Sequence, residues 1–117
     1  MVVLRAAEAT SPPPPELMEA IMRLGDEATQ AGQLLDTAGL APSAAGARVQ
    51  LIGGEISVTD GPFAEAKELI SYALYDVRSK QEAIEWASRF VKLHRDLWPG
   101  WEGQTDILQV MGPDNGG

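Results

Sequence analysis

"RVQLIGGEISVTDGPFAEAKELI", residues 48 to 70, carries the clearest local signal in the chain. Two short runs, Arg48–Ile52 and Glu55–Thr59, flank Gly53-Gly54, and a two-residue Gly-Gly link between such runs is a tight hairpin turn. The register follows from the turn. With Ile52 opposite Glu55, Leu51 faces Ile56 and Val49 faces Val58, so four apolar side chains share one face. A slip of one residue would scatter that face, which makes the pairing self-consistent. Arg48 then lies opposite Thr59, next to Asp60. The chain leaves the hairpin through Asp60-Gly61-Pro62-Phe63, a corner in which Pro62 fixes φ and Gly61 admits a positive one. Asp60 can accept hydrogen bonds from N–H groups ahead of it, and Phe63 is expected to anchor the corner on the core.

Outward from the hairpin, both flanks alternate between strands and helices. On the N-terminal side, "VVLRAA" (2–7) reads as a strand interrupted by Arg5, and "TSPPPPE" (10–16) as an extended polyproline piece. Pro15 suits the first position of a helix, where Glu16 and Glu19 meet the positive end of its dipole. Leu17, Ile21, Leu24, Ala28 and Ala31 recur at helical spacing, and Gly32 closes the helix. "QLLDTAGLAPSAAGA" (33–47) follows as a short strand and a loop of small residues. On the C-terminal side, "ISYALYDV" (70–77) has the β-branched and aromatic content of a strand. Ser79 and Glu82 form a capping box opening a second helix, whose stripe is Ala83, Trp86, Ala87 and Phe90. "QTDILQV" (104–110) is the last strand, and 113–117 a loose tail behind one domain covering 1–112.

This order predicts an α+β fold: an antiparallel sheet with two helices on one face, the ferredoxin-like sandwich, plus an inserted β-hairpin. The opposite sheet face is expected to carry apolar side chains, and in a chain of 117 residues a second copy is the expected cover, giving a homodimer.

Composition narrows the function classes. The net charge is −8, with nine basic residues scattered among seventeen acidic ones, so no basic footprint for nucleic acid exists. No apolar run is long enough to span a membrane and no secretory leader is visible. Cysteine is absent, which excludes disulfides and thiol catalysis and fits a reducing compartment; a cytoplasmic location is expected. His94 is the only residue of the types zinc prefers, and no acidic loop has calcium-ligand spacing, so neither metal nor cofactor is expected. Nucleophile-elbow and phosphate-loop motifs are missing, and no catalytic residue is assigned.

With "VTDGPFAEAKELI" (58–70) in place, the chain closely resembles the YCII-related family, in the branch named for its Asp-Gly-Pro-Phe motif. "AGQLLDTAGLAPS" (31–43), "GARVQ" (46–50) and "EAIEWASR" (82–89) extend the resemblance over roughly residues 1 to 112. It implies a ferredoxin-like, usually dimeric bacterial protein, and for this branch an association with sigma factors of the extracytoplasmic-function type. Some relatives are proposed to be enzymes with a His-Asp pair in a cleft. No histidine occurs in the first half of this chain, so that pair is not carried over.

Two readings of the corner stand side by side: a structural junction, or the edge of a small-molecule site at the dimer seam lined by Arg5, Arg48, Asp60, Phe63, Glu65 and Lys67. In the second reading Lys67 binds an anionic group and Glu65 moves a proton. As a solvated face, Glu65, Lys67 and Glu68 would do neither. Trp98 and Trp101, separated by Pro-Gly, are candidates for a pocket wall or for a dimer or partner contact. His94 on its own reads as a surface or helix-end residue. The alternative to a ligand-binding domain is a non-catalytic accessory module for a sigma factor, presenting its acidic surface and the Trp98–Trp101 loop.

Overall fold

Val2–Ala6 forms strand β1, and its residues Val2, Val3, Leu4 and Ala6 are all buried, which suits the interior of a sheet. The structure, a computed structural model, describes residues 1–7 and 11–111; the tail expected at 113–117 lies outside the described residues.

Helix α1 spans Pro15–Gln30 and begins where the prolines dictate. Pro14 stands at φ −58° and ψ 142°, and Pro15 takes the first turn, where a missing N–H is no loss. Gly32, at φ 75°, ends it. Its N–H donates to the Thr29 carbonyl at 2.9 Å and that of Gln33 to Ala28 at 3.0 Å, the two bonds of a Schellman motif. Leu17, Leu24 and Ala28 are buried as the stripe requires, whereas Ala31, its expected last member, is the exposed cap.

Strand β2 is Leu34–Gly39, and Ser43–Ala45 make a single 3₁₀ turn. Strands β3 (Ala47–Ile52) and β4 (Glu55–Asp60) pair only with each other. Their register is Ile52 to Glu55, Leu51 to Ile56 and Val49 to Val58, the one derived from the apolar pattern. Gly53 and Gly54 stand at φ 59° and 83°, as a two-residue turn matching strand twist needs. Strand β5, Glu68–Tyr75, lies two residues earlier than the expected 70–77. Helix α2, Lys80–Leu97, opens with the Ser79 hydroxyl accepting from the Glu82 N–H at 3.2 Å. The Glu82 carboxylate turns to Gln33 Nε2 at 2.6 Å and so ties α2 to the end of α1. Strand β6 is Gly103–Ile107.

The main sheet runs β2-β5-β1-β6 with every neighbour antiparallel. Both helices pack on one face: Ile21, Leu24, Ala87 and Phe90 meet Val2 and Leu4 around a small cavity of about 70 Å³. This order with two helices is compatible with a ferredoxin-like α+β fold. Arg89 forks onto the Glu27 carboxylate and fastens the helices to each other.

The opposite face is mixed rather than wholly apolar, with Ala38 and Leu74 beside Tyr72 and Asp36. The register places Arg5, Tyr72, Gln104 and Asp106 there, with buried Val3 between Tyr72 and Asp106. Its polar groups pair laterally: Tyr72 Oη donates to Asp36 at 2.8 Å, which pushes the phenol pKa up, and Arg5 Nε sits 3.4 Å from Asp106. The most exposed apolar strand face is that of the β3–β4 ribbon, where Val49, Leu51, Ile56 and Val58 are 67–73% exposed. The radius of gyration, 16.3 Å, reflects this departure from compactness, since a compact chain of this length has about 13 Å.

Candidate functional site

The corner after β4 is built by backbone approach. Gly61 N–H donates to the Gly46 carbonyl at 2.9 Å, and a Cβ on Gly61 would lie 1.6 Å from the Ser43 carbonyl oxygen. Only glycine fits there, for lack of space. The Gly61–Pro62 peptide is cis. Phe63 N–H then donates to Ser43 Oγ at 2.9 Å, while the Ser43 hydroxyl and N–H donate to one oxygen of Glu68 at 2.8 and 2.9 Å. Ser43 is therefore the pin of the corner and Glu68 its anchor at the start of β5. Sequence reading did not single out Ser43 and took Glu68 for part of a solvated face. Ser43 sits in an unpatterned loop, and Glu68 is indistinguishable in sequence from the solvated carboxylate Glu65.

Three of the proposed site residues meet on one side of this corner. The Arg48 guanidinium lies over the Phe63 ring, 4.1 Å from its centroid, and Arg48 Nη2 donates to Glu65 Oε1 at 2.5 Å. Stacking on an aromatic face orients the planar guanidinium and leaves part of its edge free to donate to an anion. Both partners of the ion pair are more than a third exposed, so the pair itself contributes little stability. Asp60 is not part of this group: it closes β4 opposite Ala47, and its carboxylate has no partner among the described residues.

Lys67 and Arg5 belong to a second cluster. Lys67 Nζ donates to Gln104 Oε1 at 2.7 Å, Gln104 Nε2 to Asp106 at 3.3 Å, and Asp106 pairs with Arg5. The relay runs along the open face of β6 and β1, at the end of the sheet next to the corner.

His94 lies in the last turn of α2, at a helix end as expected, but is buried, at 4% exposed, rather than on the surface. Its Nδ1 donates to the Phe90 carbonyl at 2.9 Å, and the ring lies between Phe90 and Trp101 at centroid distances of 4.7 and 4.4 Å. Burial pushes its pKa down, so the neutral ring is favoured. The Trp98–Trp101 loop folds back through Gly100 at φ 82°. Trp101 lies against Gly103, where a Cβ would come within 2.4 Å of the indole. Trp98 and Trp101 are both half-buried, nearly parallel and 6.4 Å apart. Among the described residues no group of three His, Cys, Asp or Glu could hold a metal ion, and no helix is long and apolar enough to cross a membrane.

The corner, α1, nearly all of α2 and strands β1 to β5 fall within one matched stretch, since the YCII-related domain profile matches residues 1–96. The chain belongs to the YCII-related domain family. It is also similar to an uncharacterised protein of Rhizobium meliloti (strain 1021), 44% identical over 59 residues, or 50% of this chain. The matched stretch spans about half, 48%, of that relative's length. The family match stops at Asp96, so the Trp98–Trp101 loop and β6 lie beyond it.

Proposed function

We propose that this YCII-related chain, of the Asp-Gly-Pro-Phe branch, is a homodimeric ferredoxin-like domain with the hairpin as its insertion, binding a small anionic molecule beside the Asp60–Phe63 corner. The observation that carries the reading is Arg48, stacked on Phe63 and held by Glu65 with 37% of its side chain still exposed. An oriented, half-exposed arginine recognises a carboxylate or phosphate in a way a free surface arginine does not. The Arg5–Lys67 relay adds positive charge at the same end of the sheet. Glu65 and Lys67 are each committed to a partner, which favours binding over proton transfer.

The exposed apolar face of the ribbon supports the dimer, because an isolated two-stranded ribbon is marginal in water and gains by burying that face. A thermal-shift screen against anionic metabolites tests the site. A ligand should raise the unfolding midpoint of the wild type by several degrees through mass action. Arg48→Ala and Lys67→Ala should remain folded and lose most of that rise. If no compound shifts the wild type, the accessory-module reading takes over, with the ribbon as the surface for a partner such as a sigma factor.

A further inference from the structure

At the end of the sheet opposite the corner, where β1 begins and β5 and β6 finish, the structure has a cleft of about 860 Å³. That size lies in the upper part of the range for small-molecule sites, about 300–1,000 Å³. Leu35, Leu74, Val77, Ala83, Ile107 and Leu108 give it apolar walls. Leu35 and Leu108 are exposed there, although nothing in the strand pattern requires an apolar residue at either place.

Arg78 and Lys80 line the same cleft, and both are exposed. Neither has a carboxylate partner among the described residues, although the chain holds seventeen acidic residues against nine basic ones. Arg5, Arg23, Arg48, Arg89 and Arg95 are all paired with acids. Among the described lining residues Asp76 is the one carboxylate, against Arg78 and Lys80.

We propose that this cleft binds an amphipathic anion, a carboxylate or sulfonate on an apolar body. Arg78 and Lys80 hold the charged head, and Leu35, Leu74 and Ile107 the body. The site is separate from the corner and does not depend on ligand binding there.

The test uses two fluorescent probes with the same aromatic body, anionic 8-anilinonaphthalene-1-sulfonate and neutral N-phenyl-1-naphthylamine. The wild type should bind the anionic probe saturably, with amide shifts in Asp76–Lys80 and Leu108–Gln109 by NMR. The double variant Arg78→Gln, Lys80→Gln should weaken the anionic probe about tenfold or more, the effect of losing charge-assisted hydrogen bonds. Its affinity for the neutral probe should change less than twofold. Leu35→Glu, at an exposed position that leaves the fold intact, should weaken both probes. Leu51→Lys on the ribbon should weaken neither. Absence of saturable binding, an unchanged double variant, or loss of binding in Leu51→Lys would each overturn the proposal.

Discussion

Gly61 and His94 show how a single residue acquires meaning from what lies beside it. Gly61 needs no special φ; its constraint is the Ser43 carbonyl, which a methyl group would strike. Because the opposing atom is backbone, it cannot swing aside. Gly61→Ala should therefore lower stability by about 1–3 kcal/mol, the range for forced overpacking, read as a drop in the urea midpoint. His94 makes a pH prediction. Burial lowers its folded pKa, so the unfolded chain takes up a proton first, near its ordinary value of about 6.5. Stability from this group is full above that pH, falls as pH drops through the lowered folded value, and levels off below it. Urea midpoints between pH 7.5 and 5.5 should decline in the wild type, and His94→Gln should flatten that part of the slope.

At the scale of elements, the ribbon and the main sheet differ in what holds them. The sheet is covered by two helices, while β3 and β4 pair with each other, a ladder that Gly61 to Gly46 prolongs, and among the described residues the side chain of Arg48 ties them to Glu65 and to the Phe63 ring. Removing the arginine takes away both of these ties. Arg48→Ala should speed amide exchange across Ala47–Asp60 several-fold while leaving Val2–Ala6 protected, the behaviour of a separately opening unit. The ribbon's pairing was legible because a Gly-Gly turn sets a register locally. The start of β5 was not, because Glu68 and Leu69 join the strand by pairing with Ala6 and Arg5 of β1, more than 60 residues away in sequence.

For the whole molecule, the question is where apolar surface is left in water. The open sheet face pairs its polar groups through Tyr72–Asp36 and Arg5–Asp106, while the ribbon leaves Val49, Leu51, Ile56 and Val58 most in water. If a second copy covers them, Leu51→Lys should convert the dimer to monomer in sedimentation equilibrium. The monomer's stability should change by only about 0.5 kcal/mol or less, as for an exposed position. A net charge of −8 repels like copies, so the dimer should also strengthen as salt is raised from low ionic strength.

The sequence by itself determined what is local. Pro15 and Gly32 placed the ends of the first helix, Ser79 the start of the second, and Gly53-Gly54 the hairpin register. These depend on φ/ψ preferences and near-neighbour hydrogen bonds, which are written in adjacent residues. Tertiary structure decided which charges meet. It gave Arg48 to Glu65, put Ser43 under Phe63, buried His94 beneath Trp101, and, among the described residues, left Asp60, Arg78 and Lys80 without a charged partner. The physical reason is that a charge or hydroxyl is chosen by distance in space, and those distances exist only once the strands have paired and the helices have covered one face.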